Sequence, residues 1–238
     1  SAVAHSGGVV LTAAETQPAP AILPEGFSWP VPVPGGEEAW DDAAIDALRE
    51  GDARRAFGAA FEGIRIPETL RPPGGRLRLI DRVVSFDPGG GRYGLGCLRA
   101  EADIHPEAWF LACHFVDDRV IPGTLMYECC NQALRLLLLR RGWLLDRPGL
   151  RFEPVPEIEA VLTCRGPVTP QTQRVHYEVH LKEAGFRPEP CAVADAWLFA
   201  DGRRIVRFRD MSLRLAGATA AELEAFWKAR SRPPWNRG

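Results

Sequence analysis

The segment between His114 and Glu128 contains the residue types of an acid–base site. Gly123 follows a proline at the start of a long apolar run, and the first N–H groups of a helix lack intrahelical acceptors and carry partial positive charge. Such groups suit a carbonyl oxygen that gains negative charge during a reaction. A carboxyl group among apolar neighbours is desolvated and favours its protonated form, so Glu128 can act as a general acid. His114 is then the natural general base.

One long helix is predicted to position Glu128. The run from Thr124 to Arg141 is apolar on most of its circumference, and Gly142 ends it. A helix with this pattern is buried by a sheet rather than placed on a surface. The spacing alone leaves an alternative open, in which His114 is a satisfied structural group beside a helix cap and Glu128 is a solvated helical residue.

Six segments rich in alternating apolar residues predict a sheet around that helix. Two precede the helix as a hairpin with the glycine-rich turn DPGGG, and four follow it. The predicted fold is therefore α+β, with a curved antiparallel sheet wrapped around one long central helix. The segments are residues 77–86, 92–104, 158–168, 173–184, 191–200 and 203–215.

Flanking segments lie on both sides of this predicted domain. Six prolines among the first 34 residues predict a flexible linker over 1–40. Aspartates in N-cap positions predict a short helical annex over 41–74, and the sequence RPPGG leads into the main domain at 75–217. Residues 218–238 are predicted to be a C-terminal helix with a basic tail, which either docks an acidic partner or is a solvated terminus.

Composition excludes several functional classes. The 29 basic and 31 acidic residues give a net charge of -2, so the positive charge of a nucleic-acid-binding protein is missing. No run of apolar residues is long enough to span a membrane. Six cysteines without metal-binding or redox spacing predict a reduced, cytoplasmic chain. The chain begins with Ser1 and lacks a signal-peptide pattern, which fits a piece of a longer polypeptide or a free-standing protein with a processed start.

The string HFVDDRVIPGTLMYE resembles the signature of the β-hydroxyacyl-acyl-carrier-protein dehydratases. In that family a His-Phe pair precedes a Pro-Val-Met-Pro-Gly step, and an acidic residue follows the histidine by fourteen positions, the separation between His114 and Glu128. Arg119 and Ile121 depart from this signature, which has proline and methionine there. The resemblance extends from about residue 51 to 217. It is closest to the dehydratase domains of polyunsaturated fatty acid synthases and related polyketide-type lipid synthases.

The resemblance implies a hot-dog fold that pairs with a second one, as a homodimer or as a double hot dog within a multienzyme. The histidine of one hot dog then works with the acid of the other. His114 would abstract the C2 proton of a (3R)-3-hydroxyacyl thioester carried on the phosphopantetheine arm of an acyl carrier protein, and Glu128 would assist departure of the 3-hydroxyl as water. The product would be a trans-2-enoyl thioester, with fatty-acid or polyketide-type synthesis as the context.

The resemblance also assigns two substrate-binding groups and a place for the acyl chain. The Gly123 N–H would hold the thioester carbonyl, and Val120 would present the histidine or bind the leaving water through its backbone. The acyl chain would lie in an apolar tunnel along the central helix. No metal or diffusible cofactor is implied. The alternatives are an acyl thioesterase and a non-catalytic hot dog that serves as a structural or carrier-binding partner.

Three further groups carry competing interpretations. His176, Glu178 and His180 share one face of a predicted strand, which fits either a metal site or, in our preferred interpretation, a solvated face. Cys113 beside His114 could be read as a nucleophile, but its side chain is predicted to point away from that of His114. Asp195 interrupts an apolar strand and predicts a buried, hydrogen-bonded carboxylate of unassigned role.

Overall fold

The computed structural model describes residues 9–11, 33, 35–115, 117–185 and 189–230. Nine strands in this part of the chain belong to one sheet. They are β1 (Val9–Leu11), β2 (Glu38–Trp40), β3 (Arg82–Asp87), β4 (Cys97–Asp103), β5 (Arg151–Glu153), β6 (Ala160–Cys164), β7 (Arg174–Gly185), β8 (Cys191–Ala200) and β9 (Arg203–Ala216). Their order is β1-β6-β9-β8-β7-β4-β3-β2, with β5 paired to β9 outside this path. The pairs are antiparallel except for β1 with β6.

Five α-helices accompany the sheet in the described ranges. They are α1 (Asp42–Glu50), α2 (Ala53–Phe57), α3 (Trp109–Cys113), α4 (Gly123–Arg140) and α5 (Ala220–Arg230). The long helix α4 is buried along most of its length and packs against β4, β7 and β8. A single buried helix inside an antiparallel sheet is the hot-dog fold, so the predicted fold class and the predicted helix are confirmed. The pairing of two such folds stays a prediction.

The side chains of β7 alternate between the face of the sheet that packs against α4 and the opposite face. Val175, Tyr177 and Val179 are buried, while His176 and Glu178 between them point to the opposite face. Burying one such apolar side chain stabilises the fold by roughly 1.5–3 kcal/mol. We call the face towards α4 the inner face and the opposite face the outer face.

The first hairpin differs from the sequence-based prediction. The sequence predicts its strands over 77–86 and 92–104, but β3 begins at Arg82 and β4 at Cys97. Residues 88–96 leave the sheet as a loop, and Gly96 has a φ of +131°, a conformation that favours glycine. Two short elements, α3 and β5, have no counterpart in the sequence-based prediction. Five and three residues are too few for a periodic pattern to stand out.

The predicted linker over 1–40 contains the two outermost strands of the sheet, β1 and β2. Trp40 at the end of β2 is buried, and its ring lies 4.9 Å from that of Phe57 and 5.5 Å from that of Phe86. Packing of this large apolar side chain ties β2 to the core. The remainder of that segment lies mostly outside the described residues.

The predicted annex helices form at α1 and α2. The side chain of Asp41 accepts a hydrogen bond from the Ala44 N–H at 2.9 Å, and that of Asp52 accepts one from the Arg55 N–H at 3.0 Å. Both are N-caps of the kind that the sequence predicts. The predicted C-terminal helix is α5, whereas the basic tail beyond Arg230 lies outside the described residues. None of the helices described is long and apolar enough to cross a membrane.

Candidate functional site

His114 follows α3 directly and is partly buried. Its Nδ1 atom lies 3.2 Å from the carbonyl oxygen of Val120. A carbonyl can only accept, so this hydrogen bond places the imidazole proton on Nδ1 and leaves the lone pair on Nε2. The two residues are thus brought together, and the ring is held in the tautomer that a general base requires.

Backbone hydrogen bonds within the loop between α3 and α4 fix its conformation. The Val120 N–H donates to the His114 carbonyl at 2.8 Å, and the Phe115 N–H donates to the Asp118 carbonyl at 2.7 Å. Arg119, at the position of the signature proline, donates to the carbonyls of Leu111 at 3.2 Å and Pro106 at 2.6 Å. These side-chain hydrogen bonds to the segment around α3 restrain the loop at the position where the signature has the rigid ring of a proline.

Gly123 is the first residue of α4. The Pro122 carbonyl accepts from the N–H groups of Leu125 and Met126, both at 3.0 Å. Within the described ranges, the N–H groups of Gly123 and Thr124 have no acceptor. A Cβ atom on Gly123 would lie 3.7 Å from Leu162, an ordinary contact, so packing within this chain does not require glycine here. Close approach of a ligand would require it.

Glu128 is partly buried in the second turn of α4. Its carboxyl oxygens accept hydrogen bonds from Asn131 at 3.1 Å and from Gln132 at 3.0 Å, and Gln132 also donates to the Leu77 carbonyl at 3.2 Å. These amides hold the Glu128 side chain in one orientation. Among the described residues, no hydrogen bond or ion pair joins His114 to Glu128.

A cavity of about 290 Å³ lies beside α4, between α3 and β4, and none of His114, Gly123 and Glu128 lines it. Its polar walls include Arg76, Arg78, Asp81, Asp103 and His105. Burial raises the pKa of the Cys129 thiol to about 12 and the pKa of Tyr177 well above its ordinary value, so neither group ionises at neutral pH. The Tyr177 hydroxyl donates to the Leu79 carbonyl at 3.0 Å. The apolar walls include Phe110, Ile121, Leu125, Cys129 and Tyr177.

Exposed apolar side chains flank this region. Four large ones are exposed in the described ranges, and three of them adjoin the site: Leu77 at 42 %, Trp109 at 36 % and Phe115 at 58 %. The Phe115 ring lies 3.9 Å from that of His114, and the Leu77 carbonyl contacts the amide that holds Glu128.

The residues considered for a metal site lie on the outer face. One ligand-type atom from each of Cys97, Glu178 and His180 lies within 4.8 Å of the others. The Arg92 N–H donates to His180 Nδ1 at 2.9 Å, so in the neutral ring Nε2 carries the proton and faces Glu178 at 2.9 Å. A metal ion on Nε2 would require the opposite tautomer, so this arrangement does not fit one. The Cys113 thiol faces the Phe110 carbonyl at 3.7 Å.

Asp195 is fully buried, as the sequence predicts. Its carboxylate accepts hydrogen bonds from the Tyr93 hydroxyl at 2.9 Å, from Arg207 at 3.2 Å and from the Asp210 N–H at 3.3 Å. Tyr93 is 102 residues distant in the sequence, so no local pattern could have identified it as a partner.

Residues 72–209, more than half of the chain, match the family model described as a FabA-like domain. One subunit of a polyunsaturated fatty acid synthase from Thraustochytrium sp. (strain ATCC 26185 / S-3) is 34% identical over 122 residues, which cover 50% of this chain but only 8% of that protein. A hypothetical thioesterase protein with coenzyme A from Streptococcus pneumoniae TIGR4 is 10% identical, with a TM-score of 0.38 over 52% of this chain and 80% of that one. The PaaI protein from the phenylacetic acid degradation operon of E. coli is 12% identical, with a TM-score of 0.40 over 58% and 80%.

Proposed function

Because the chain belongs to the FabA-like domain family, we propose that it dehydrates (3R)-3-hydroxyacyl thioesters on an acyl carrier protein to trans-2-enoyl thioesters. The observation that carries this proposal is the hydrogen bond from His114 Nδ1 to the Val120 carbonyl, which leaves Nε2 free as a base. The similarity to part of a polyunsaturated fatty acid synthase supports dehydration over other reactions of the hot-dog fold.

In the proposed reaction His114 accepts one proton from the substrate and Glu128 donates another to it. His114 Nε2 removes the C2 proton, and the electron pair moves into an enolate on the thioester oxygen. The N–H groups of Gly123 and Thr124 stabilise that oxygen, because the start of α4 directs unpaired donors and partial positive charge at it. The carboxyl group of Glu128 gives its proton to the 3-hydroxyl, which leaves as water while the C2–C3 double bond forms. No metal or diffusible cofactor enters these steps.

The acyl chain occupies the cavity beside α4. Ile121 and Leu125 flank Gly123 in sequence and line that cavity, so a thioester held at Gly123 directs its chain into it. The uncharged floor at Cys129 and Tyr177 suits a hydrocarbon chain. The phosphopantetheine arm of the carrier protein enters from the exposed side of the loop that bears His114.

A complete site needs two hot dogs. His114 and Glu128 are not joined within one chain, and Leu77, Trp109 and Phe115 expose apolar surface next to them. A second copy of the chain, or another hot-dog domain of the same multienzyme, covers this surface and pairs its own acid with His114. In this arrangement the homodimer has two such sites.

The first test identifies the product by mass spectrometry. The protein is incubated with 3-hydroxyacyl thioesters of several chain lengths on an acyl carrier protein and on pantetheine. Loss of one water with the thioester intact is the expected result. Release of free acid would favour a thioesterase, and an unchanged substrate at every chain length would favour a non-catalytic partner. Either of these results would overturn the proposal.

A further inference from the structure

The outer face of the sheet carries a pocket that the proposed reaction does not use. It has a volume of about 240 Å³ and is lined by Arg92, Glu178, His180, Trp197, Phe199 and Arg204. These residues come from the loop over 88–96 and from β7, β8 and β9. The pocket lies on the side of the sheet opposite α4, so it is distinct from the acyl cavity.

Strand register explains how the pocket is built. Arg99, Glu178, Trp197 and Arg207 lie directly opposite one another across β4, β7, β8 and β9. The Arg99 guanidinium donates to Glu178 at 3.0 Å, and the Arg207 guanidinium lies 5.5 Å from the Trp197 ring centre. Cross-strand neighbours of this kind hold each other in fixed positions.

The loop over 88–96 forms one wall of the pocket and is held by two buried groups. The Arg92 N–H donates to His180, and the Tyr93 hydroxyl donates to Asp195. A Cβ atom on Gly91 would lie 2.9 Å from His180 Nδ1, so only glycine permits this approach. Burial raises the pKa of Tyr93 to about 12, so the phenol remains a donor. The buried carboxylate of Asp195 thereby positions the wall that carries Arg92.

The charges of the pocket do not cancel. The Glu178 carboxylate already accepts from His180 and Arg99, and the hydrogen bond from His180 is the main reason that its pKa falls to about 2. Arg92 and Arg204 are exposed and form no ion pair with any residue in the described ranges. The Arg92 guanidinium lies 5.9 Å from the Trp197 ring centre. Two unneutralised guanidinium groups therefore border one pocket with an aromatic floor.

We infer that this pocket binds a small organic phosphate, such as a nucleoside diphosphate, between Arg92 and Arg204. The guanidinium fork matches phosphate oxygens in pairs, and a diphosphate offers each of the two arginines its own anionic group, whereas a single carboxylate would neutralise one. Trp197 and Phe199 provide an apolar floor for the non-phosphate part of the ligand.

The test is isothermal titration calorimetry of the whole chain with inorganic pyrophosphate and, separately, with ADP. We expect both to bind, with affinity that falls as salt rises, and Arg92→Gln and Arg204→Gln each to weaken binding at least tenfold. Arg54→Gln is the control, since Arg54 is an equally exposed arginine that pairs with Glu62 in the annex. Tighter binding of ADP than of pyrophosphate would show that the aromatic floor contributes, and equal binding would show that the phosphates alone are recognised.

Several results would overturn the inference. One is the absence of binding by wild type at millimolar concentrations of both probes. Another is equal weakening by Arg54→Gln, which would indicate nonspecific charge attraction. A third is binding of an acidic peptide with no binding of either probe, which would make the pocket a protein-docking surface. Both pocket arginines are exposed, so the variants are expected to fold, and unchanged thermal unfolding verifies this.

Discussion

The carboxylates of the outer face and the reactive groups beside α4 differ in how far one chain satisfies them. On the outer face, Asp195 and Glu178 are fully partnered by residues of the same chain, from strands and loops far apart in sequence. On the inner side, His114 Nε2 and the first N–H groups of α4 lack acceptors or donors within the described ranges. Satisfied groups hold a fold together, whereas preorganised groups left open are available to a substrate.

The largest effect is expected from removal of the His114 imidazole, whose Nε2 atom has no partner within the described ranges. His114→Ala should lower kcat/KM for dehydration about a thousandfold, because a general base contributes roughly 10²–10⁴-fold. Thermal stability should change little, since the ring is only partly buried. His176→Ala is the matched control: it removes an outer-face imidazole that stacks on Phe199 at 4.3 Å and should leave kcat/KM within a factor of about two. Equal losses in both variants would refute the role of His114.

A substitution of a buried carboxylate on the outer face should lower stability and leave activity unchanged. Asp195→Ala leaves Arg207 and Tyr93 without their buried acceptor, so the free energy of unfolding should fall by about 3 kcal/mol in urea titrations. The activity of the molecules that remain folded should be unchanged. Glu224→Ala removes an exposed ion pair with Lys228 and should lower the unfolding free energy by less than about 1 kcal/mol. Equal effects of the two substitutions would show that the outer face is not a stabilising network.

The acyl cavity should be sensitive to volume. Cys129→Leu adds side-chain volume at its floor and should lower kcat/KM for the longest accepted substrates about tenfold, with little change for short ones. Cys129→Ser keeps the volume and should retain the preference of wild type for chain length. A uniform loss across all lengths would indicate that the chain does not enter this cavity.

The smallest effect concerns pH. The hydrogen bond from His180 and the contact with Arg99 lower the pKa of Glu178 to about 2, below the ordinary value of a glutamate. A lowered folded-state pKa stabilises the protein above the unfolded-state pKa, and this contribution is lost as pH falls from about 5 towards 2. The urea midpoint should therefore decline over that range. In Glu178→Gln the decline should be shallower, and an identical slope would contradict this assignment.

The parts of the fold with a long sequence period are predictable. The apolar run of α4 and the alternation in β7 each give a pattern over ten or more residues, and both elements form where expected. The short elements β5 and α3 give no such pattern. The sequence pattern predicts part of the loop over 88–96 as a strand, because the loop's tethers, His180 and Asp195, are distant in sequence.

The sequence likewise predicts some features of the candidate site and not others. The types and spacing of His114, Gly123 and Glu128 indicate the chemistry, because a helix start and its acid are close in sequence. The tautomer of His114 depends on a backbone carbonyl six residues away, which only the folded loop brings to Nδ1. The phosphate pocket depends on strand register and could not be found from spacing.

The central claim is that two chains complete each catalytic site, and mixing two inactive variants tests it most directly. Differently tagged His114→Ala and Glu128→Gln chains are unfolded together, refolded and assayed for dehydration, with each variant refolded alone as the reference. In a mixed dimer, one site receives His114 from one chain and Glu128 from the other, so random pairing should restore about a quarter of wild-type activity. If the mixture is no more active than the separate variants while the tags show that mixed dimers formed, the acid and the base act within one chain and the account is wrong.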